Sequence, residues 1–368
     1  MTKIPFNYLP YQFKNTKIYF NDWKKLIKSC EFTLGPYTEK FEKDFSKYIG
    51  SKHCISTNNG TDALILALKS LGLKRNDEVI TVCNSFYASA GAIVACGAKP
   101  VFIDSDERYQ IDVNKVEKSI TKKTKIILPV HWGGASPNME NIMKIARRYN
   151  LKVVEDACMS IGAKIKDRRP GTFGHVSAFS MHPLKSLNVM GDGGMIVTNN
   201  DKISRWIIKY RNHGMIDRDH ISCWGVNTRL QPLQAVVASK ELKNVNRIVS
   251  LRNKNAKILD KRLSKIKTVK IPLRKKNYIE TFALYMACFI QRDKLKSYLI
   301  KNGVEVKVHY PIPLHLQKPS RLLGYKSGDF PEAEKQAKEL LTLPVHQYLN
   351  KSQLNFIIKK IENFYHKK

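Results

Sequence analysis

The sequence predicts a three-layer α/β/α fold with a mostly parallel sheet, together with a smaller C-terminal α+β domain. Between about residues 51 and 198, short apolar or β-branched runs alternate with amphipathic runs of helical length. This alternation is typical of βαβ units, which place helices on both faces of a parallel sheet. The chain has 368 residues, 43% of them hydrophobic, which is enough for a large core and a second domain.

The apolar runs predict the strands of the sheet, and the amphipathic runs between them predict helices. Strands are expected at His53–Thr57, Glu78–Val82, Pro100–Ile103, Thr124–Pro129, Lys152–Glu155, Val176–Phe179 and Met195–Thr198. Helices are expected at Gly60–Leu71, Phe86–Ala95, Val113–Ile120 and Met139–Tyr149. Because ligands bind beyond the carboxyl ends of the strands in such sheets, residues that follow these strands are the first candidates for a site.

After residue 198 the pattern predicts further helices and the smaller domain. Helices are expected at Ile203–Arg211, Leu230–Leu263, Arg292–Asn302, Phe330–Leu341 and Lys351–Tyr365, and strands at Glu280–Gln291 and Val304–Tyr310. We assign residues 1–249 to the large domain, including the N-terminal arm, and residues 250–368 to the small domain. The arm is expected to rest near the small domain.

The net charge of +33 admits two interpretations. It can indicate a nucleic-acid or anionic membrane partner, or a general enrichment in lysine over the whole surface. The basic residues are spread along the chain in short runs such as Lys122–Lys125 and Arg274–Lys276, with a basic tail only at Lys367–Lys368. This distribution favours the second interpretation, so we expect no nucleic-acid partner and no membrane partner.

Other patterns exclude several classes of protein. The seven cysteines are scattered without C-x-x-C spacing, so neither a disulfide framework nor a zinc site is expected. The chain contains no P-loop, no H-E-x-x-H, no G-x-S-x-G, and no G-x-G-x-x-G between a strand and a helix. The last absence argues against a nicotinamide enzyme. Residues 1–5 begin no apolar run of signal-peptide length, and no run is long enough for a membrane span, so we expect a cytoplasmic protein.

The strongest candidate for chemistry is Lys185, which lies in a Gly-rich segment between two predicted strands. A lysine buried in such a segment loses its charge readily and becomes a nucleophile toward aldehydes. Schiff-base chemistry with pyridoxal phosphate (PLP) requires a lysine of this kind. Ser180, upstream of the lysine, can bond a phosphate, whereas His182 alone is more typical of a structural histidine.

Three other segments follow predicted strands, and each has a structural alternative. Gly60, Thr61 and Asp62 open a helix, so they could bind an anion or simply form an N-cap. Asp156 ends a buried strand, where it could pair with a pyridinium nitrogen or act as a cap or ion-pair partner. Phe86 could stack on a flat ring or belong to the core.

Two later segments complete the set of candidates. Asn227 and Arg229 precede a long helical pattern, so they could contact a phosphate across a dimer interface or belong to a capped loop. His309, Tyr310 and His315 lie in or beside a turn stiffened by prolines. Substrate contact and plain packing are equally compatible with that turn.

Taken in order, these segments resemble the PLP-dependent sugar aminotransferases of the DegT/DnrJ type, which have the aspartate-aminotransferase fold (fold type I). The resemblance covers nearly the whole chain, from Thr33–Pro36 to Leu343–Val345. Between these ends it rests on Asn59–Thr61, Phe86, Pro129–His131, Glu155–Ala157, Ser180–Lys185, Gly191–Gly194, Arg211–Gly214, Asn227–Arg229 and Val308–Tyr310. It is specific because many weak motifs recur in one order.

The resemblance implies a role for each matching residue. Lys185 would hold PLP through an imine, Asp156 would pair with the ring nitrogen, and Phe86 would stack on the ring. The other residues expected at the cofactor are Gly60, Thr61, Asp62, Met159 and Ser180. Asn227 would reach the phosphate of the neighbouring subunit's cofactor, which implies an obligatory homodimer. The residues expected to face the substrate are His182, Arg229, His309, Tyr310 and His315, with His182 also a catalytic candidate.

The implied activity is transfer of an amino group from L-glutamate to a nucleotide-linked 3-keto or 4-keto hexose. The product would be an amino sugar for a polysaccharide, such as the O-antigen of lipopolysaccharide, or for a glycan. Lys185 favours transamination, because relatives with histidine at that position are dehydratases. Two positions depart from the family: Met159 replaces the usual glutamine, whose hydrogen bond a thioether cannot donate, and Asp192 replaces a glutamate.

Three alternatives stay open at this point. The acceptor could be another keto sugar, such as a sugar phosphate or a keto-octulosonate. The chain could instead be a basic nucleic-acid-binding protein, or a regulator that binds PLP without turnover.

Overall fold

The computed structural model describes residues 3–366, so the expectations for residues 1–2 and for the Lys367–Lys368 tail lie outside the described residues. The strands are β1 (His53–Thr57), β2 (Glu78–Val82), β3 (Lys99–Ile103), β4 (Thr124–Leu128), β5 (Lys152–Asp156), β6 (Lys164–Ile165), β7 (Val176–Ser180), β8 (Gly194–Thr198), β9 (Val269–Lys270), β10 (Tyr278–Ile279), β11 (Tyr285–Phe289) and β12 (Leu340–Leu343). The helices are α1 (Leu9–Gln12), α2 (Lys17–Ser29), α3 (Pro36–Ile49), α4 (Gly60–Ser70), α5 (Tyr87–Ala95), α6 (Val113–Val116), α7 (Met139–Arg148), α8 (Asp201–Tyr210), α9 (Pro232–Leu242), α10 (Val245–Leu263), α11 (Arg292–Lys301), α12 (Lys318–Arg321), α13 (Pro331–Glu339) and α14 (Lys351–His366).

The predicted fold class is confirmed. Seven strands form one sheet in the order β1-β8-β7-β5-β4-β2-β3. Strand β8 is antiparallel to both neighbours, whereas the pairs β7–β5, β5–β4, β4–β2 and β2–β3 are parallel. Every strand of this sheet lies where the sequence predicts it, with each end shifted by no more than one residue.

Continuous burial explains why these strands were visible in the sequence. Strands β7 and β8 are buried at every residue, as expected for a sheet covered by helices on both faces. Helices α4 and α7 begin at polar caps: the Asn59 side chain accepts a hydrogen bond from the Asp62 N–H at the start of α4, and Asn138 caps α7 in the same way. Such caps satisfy backbone donors that have no partner within the helix.

The parallel arrangement gathers several predicted residues at one edge of the sheet. Gly60 follows β1, Phe86 follows β2, and Asp156 and Ser180 are the last residues of β5 and β7. Since the carboxyl ends of parallel strands meet at the same edge, residues far apart in the sequence line a single region.

The smaller domain has its own core, and helix α10 connects it to the large domain. Val245 and Val249, on the first turns of α10, pack in the large-domain core, whereas Ala256 and Leu259 pack in the second core. The second core also contains Ile4, whose backbone bridges to Val304. The N-terminal arm therefore packs against the second core, and the assignment of residues 1–249 and 250–368 to two domains stays a prediction.

Four element predictions beyond residue 198 were wrong in part. The pattern Leu230–Leu263 is two helices, α9 and α10, because the apolar stripe continues across a turn in which the Asn244 N–H bonds the Glu241 carbonyl. The segment Val304–Tyr310 forms only single-residue bridges at Val304 and Lys307.

The other two errors concern where a strand and a helix end. The predicted strand Glu280–Gln291 is shortened to β11, because the N–H groups of Thr281 and Leu284 bond the carbonyls of Gly134 and Gly133 instead of a strand. The predicted helix Phe330–Leu341 ends at Glu339, because the next residues form β12 and pair with β11. In each case tertiary pairing overrides the local pattern.

Glu155, next to Asp156 on β5, anchors the segment that leads into β7. Its buried carboxylate accepts hydrogen bonds from the backbone N–H groups of Gly171, Phe173 and Gly174 at 2.6–2.7 Å. His131 contacts the same carboxylate at 2.9 Å. Burial alone would raise the pKa of Glu155, but the hydrogen bonds from His131 and from the backbone outweigh it and lower the pKa.

We predict that Glu155→Ala destabilises the protein by about 3 kcal/mol or more, because it leaves buried donors without an acceptor. Urea unfolding followed by circular dichroism measures the change. Glu140→Ala is the control, since Glu140 forms an exposed pair with Lys166 and its loss is expected to change stability far less than the loss of Glu155. Equal stability of the two variants would contradict the anchoring role of Glu155.

Candidate active site

A cavity of about 510 Å³ lies at the carboxyl edge of the sheet and is lined on its other side by residues from beyond residue 249. Eleven of the fourteen residues predicted for the site line this cavity: Gly60, Thr61, Asp62, Phe86, Asp156, Met159, Ser180, His182, Lys185, His309 and Tyr310. The topology therefore brings together residues from most of the length of the chain.

Lys185 lies in this cavity, on the segment between β7 and β8. Its backbone N–H bonds the His182 carbonyl, and its own carbonyl accepts a hydrogen bond of 2.8 Å from the Tyr8 hydroxyl. Burial lowers the pKa of the Lys185 amine, and the nearby Cys158 and Asp156 offset only part of that effect. A larger fraction of the amine is therefore neutral and nucleophilic than for a lysine on the surface.

Asp156 presents an oriented carboxylate to the same cavity. The Ser89 hydroxyl donates to its Oδ2 at 2.7 Å, and the Cys158 N–H donates to its Oδ1 at 3.2 Å. Ser85 lies 2.7 Å from Ser89 and extends this chain of hydroxyls. Each oxygen keeps acceptor capacity, so the carboxylate can receive one more hydrogen bond from a cationic N–H group.

The start of α4 forms a close-fitting cradle beside Ser180. A Cβ atom added at Gly60 would lie 2.7 Å from the Ser180 Cβ, so only glycine leaves this space open. Helix N-termini attract anions through their free N–H groups and the helix dipole. The Asp62 N–H donates to the Asn59 side-chain oxygen, and the Asp62 carboxylate accepts a hydrogen bond from the Asn59 side-chain nitrogen. These bonds agree with the capping alternative for Asp62.

Aromatic rings form the side of the cavity that faces the small domain. Phe86 lies 6.0 Å from Tyr310, and Trp132 lies 5.5 Å from Tyr310, measured between ring centroids. The Phe86 ring is partly exposed rather than part of the core. Met159 lines the cavity with its side chain, while its carbonyl accepts a hydrogen bond from Thr281.

The two histidines of the cavity have different surroundings. His182 is exposed, and its Nδ1 lies 2.5 Å from the Pro183 carbonyl oxygen. His309 is hydrogen-bonded to the Thr342 hydroxyl at 2.9 Å. Burial, with smaller contributions from Lys185 and Lys307, lowers the pKa of His309 to about 4, so this ring is neutral at physiological pH.

Three predicted residues do not line the cavity. His315 is fully buried, with its Nε2 3.0 Å from Glu334, because the Leu314 N–H binds the Cys83 carbonyl and holds this turn against the sheet. Arg229 donates to the Asn212 side chain at 2.8 Å. Asn227 is exposed on the surface of the chain.

The polar and aromatic lining residues that the sequence analysis did not single out include Tyr8, Ser89, Arg252 and His346. Ser89 had a signal, since Ser85 and Ser89 are four residues apart and share one face of α5 and the turn before it. The others come from the N-terminal arm, from α10 and from the segment after β12. They had no signal because only tertiary packing brings those segments to the sheet edge.

The fold and the cavity define a class of protein. A lysine with a lowered pKa, an oriented aspartate and an anion cradle at the edge of a mostly parallel sheet suit a phosphorylated aldehyde cofactor with a basic ring nitrogen. The chain belongs to the DegT/DnrJ/EryC1/StrS aminotransferase family, whose model matches residues 15–362. The cofactor is therefore pyridoxal phosphate, and the resemblance seen in the sequence is confirmed.

Similar proteins span almost the same length. A protein of Geobacillus stearothermophilus described as a pleiotropic regulatory protein is 39% identical, over 93% of this chain and 92% of its own. The UDP-2-acetamido-2-deoxy-3-oxo-D-glucuronate aminotransferase of Pseudomonas aeruginosa is 34% identical, over 92% and 94%. The crystal structure of S. venezuelae DesV in complex with a ketimine intermediate superposes with a TM-score of 0.96 at 31% identity, covering 99% of each chain.

The sequence analysis expects no membrane-spanning segment. Among the helices in residues 3–366, none combines the length and the apolar character of a membrane span.

We predict that Gly60→Ala weakens binding of PLP by at least about tenfold, since the new methyl group would occupy the cradle beside Ser180. Titration of the apoenzyme with PLP, followed by absorbance, measures the dissociation constant. Gly91→Ala is the matched control, because Gly91 lies on the neighbouring helix α5 with open space around its Cβ position. Unchanged affinity in Gly60→Ala would show that the phosphate lies elsewhere.

Proposed function

We propose that this protein is an aminotransferase that moves an amino group from L-glutamate to a nucleotide-linked 3-keto or 4-keto hexose. The observation that carries the proposal is that Lys185, with its lowered pKa, shares one cavity with the oriented carboxylate of Asp156. The Pseudomonas aeruginosa relative, which its name describes as acting on a UDP-linked 3-oxo sugar, supports the substrate class. The product would be an amino sugar for a polysaccharide or another glycan.

The residues of the cavity fit the cofactor. Gly60 and Ser180 would hold the phosphate, Asp156 would hold the ring nitrogen, and Lys185 would hold the aldehyde carbon. When bound, PLP supplies an electron sink that stabilises a negative charge on the carbon bearing the amino group. The carboxylate of Asp156 keeps the ring nitrogen protonated, and the hydrogen bonds from Ser89 and Cys158 fix its orientation.

In this proposal, Lys185 also moves the proton. Once a substrate amine has displaced it, the free amine stands beside the substrate carbon as a base, and its lowered pKa keeps it partly unprotonated. His309 is neutral, and it lies close enough to Lys185 for the charge of that lysine to contribute to the lowering of the His309 pKa. It can therefore accept or donate a hydrogen bond to the substrate without competing for the proton.

The walls of the cavity restrict water during the transfer. Trp132, Leu284 and Leu343 line it with apolar surface, which strengthens electrostatic interactions inside and limits hydrolysis. The cysteines within residues 3–366 are free thiols, in keeping with a cytoplasmic enzyme.

The acceptor is the least constrained part of the proposal. A keto sugar phosphate or a keto-octulosonate would leave the roles of Lys185 and Asp156 unchanged. An enzyme loaded with the amine form of the cofactor, mixed with each keto sugar in turn, identifies the acceptor by the return of the aldehyde-form absorbance. A regulator without turnover, the alternative favoured by the description of the Geobacillus stearothermophilus relative, would bind PLP but would not react with L-glutamate.

We predict that Lys185→Ala abolishes the visible absorbance of the bound cofactor and lowers turnover by at least about 10⁴-fold, since the nucleophile and the base are lost together. Stopped-flow absorbance with L-glutamate measures both changes. Lys125→Ala, which removes an exposed lysine of β4, is expected to behave as wild type. Retention of both the absorbance and the turnover in Lys185→Ala would overturn the proposed function.

The proposal includes a homodimer in which Asn227 reaches the neighbouring subunit's cofactor. Asn227 is exposed and is not part of the cavity of its own chain. The loop before it presents large apolar side chains to solvent: Trp224 is 89% exposed and Ile216 is 59% exposed. Exposed apolar surface of this kind is typical of a protein–protein interface.

Complementation tests this arrangement. We predict that Lys185→Ala and Asn227→Ala are each impaired when pure, and that a refolded equimolar mixture regains about a quarter of the wild-type activity, because each mixed dimer has one intact site. Copurification of the two variants through a different affinity tag on each confirms that the subunits have exchanged. If Asn227 acts on its own subunit, the mixture stays as inactive as the separate variants, and the shared site is excluded.

A further inference from the structure

One corner of the cavity contains buried nitrogen atoms that have no partner within residues 3–366. The Nη2 atom of Arg252 and the Nδ1 atom of His346 are both buried without a hydrogen bond, and both residues line the cavity. The Nε2 atom of Gln347 is unpartnered as well, and the Oε1 atom of the same side chain accepts a hydrogen bond from the Arg252 Nε at 3.0 Å. The free Arg252 and Gln347 nitrogens are donors, whereas the His346 Nε2 donates to the Pro5 carbonyl at 3.1 Å, which leaves the His346 Nδ1 as an acceptor.

The charge of Arg252 is also uncompensated. The residue is 1% exposed and forms no ion pair with a carboxylate in the described part of the chain, whereas the buried guanidinium of Arg108 pairs with Glu280 at 3.0 Å. The remaining contacts of the Arg252 guanidinium are with the Phe282 carbonyl, 3.5 Å from Nη1, and with the face of the Tyr8 ring, whose centroid is 5.0 Å away. A buried cation without a counter-ion is costly, so this corner is suited to an anion supplied by a ligand.

Tyr8 places this corner close to the reacting lysine. One face of its ring meets Arg252, and its hydroxyl donates to the Lys185 carbonyl. The guanidinium and the lysine backbone are thus separated by one tyrosine side chain. His346 packs against the same ring, with centroids 5.6 Å apart, and burial lowers the pKa of His346 to about 4, so a neutral imidazole stands beside the cation.

From this arrangement we propose that Arg252 forms a carboxylate subsite, with the Gln347 Nε2 as a further hydrogen-bond donor. The inference rests on the proposed function and assigns a residue to the recognition of its substrates. A planar carboxylate offers two oxygens to a guanidinium fork. The α-carboxylate of the amino donor is attached to the carbon that bears the amine, so it reaches a corner next to Lys185. A carboxylate on an acidic keto sugar is the other source of the same chemistry.

The test compares glutamate with its two amides on the holoenzyme. L-Isoglutamine replaces the α-carboxylate with a neutral amide, and L-glutamine replaces the side-chain carboxylate. In the wild type, half-conversion of the cofactor absorbance is expected to need about 10- to 100-fold more isoglutamine than glutamate, as for loss of a charge-assisted hydrogen bond. In Arg252→Met, the glutamate concentration needed for half-conversion is expected to rise to that needed for isoglutamine. The preference for glutamate over glutamine is expected to be unchanged.

Matched variants separate recognition from structure. Arg262→Met changes the same residue type on the same helix at an exposed ion pair with Glu362, and is expected to retain wild-type preferences. Arg252→Lys keeps the charge without the fork and is expected to recover part of the discrimination. An equal loss for glutamate and both amides in Arg252→Met, or no loss at all, would overturn the subsite and leave Arg252 as a packing residue.

Two further arms locate the source of the carboxylate and do not depend on glutamate turnover. Calorimetric binding of glutarate to the holoenzyme is expected to weaken about 10- to 100-fold in Arg252→Met. If the wild type binds glutarate but glutamate does not convert its cofactor to the amine form, the proposed donor is wrong while the subsite stands. If Arg252→Met affects only keto sugars that carry a carboxylate, the subsite belongs to the acceptor. Glutarate binding and sugar preferences that are both unchanged in Arg252→Met would overturn it.

Discussion

The parallel alignment of β5 with β4 and β7 is the constraint on which the site depends. It ends β5 with Asp156 at the edge where α4 and α5 begin, and the hydrogen bond from Ser89 joins that carboxylate to α5 at 2.7 Å. Behind Asp156, Glu155 ties the following loop to the same strand through three backbone N–H groups. Two adjacent carboxylates thus have separate tasks: one faces the cavity, and the other holds the strand end in place.

Burial at the same edge of the sheet lowers the pKa values of both Lys185 and His309. Lys185 is placed where burial lowers its pKa, while neighbouring acidic groups keep it from losing its basicity entirely. His309, on the opposite wall, is kept neutral by burial. In the proposed function Lys185 moves the proton, and the neutral imidazole of His309 does not compete for it. The buried guanidinium of Arg252 has no carboxylate partner within residues 3–366, which is why a ligand carboxylate is the partner that we propose for it.

The small domain contributes to the site by packing rather than by motif. Its core holds Ile4 of the N-terminal arm, and this contact brings Tyr8 against Arg252 and under the backbone of Lys185. The arm therefore connects both domains to the reacting segment. Helix α10 performs the matching task from the other direction, since its first turns pack in the large-domain core and its later turns in the small one.

The sequence by itself determined the fold class, the strands of the large sheet, the family and the cofactor. Buried parallel strands are continuous apolar runs, and Gly60, Asp156 and Lys185 each follow such a run, so local pattern and chemistry were readable together. Only the tertiary structure decided that α9 and α10 are separate helices, that His315 is buried against Glu334, and that Tyr8, Arg252 and His346 share the cavity. The physical reason is that these features depend on contacts between segments far apart in the chain, which leave no period or motif in the local sequence.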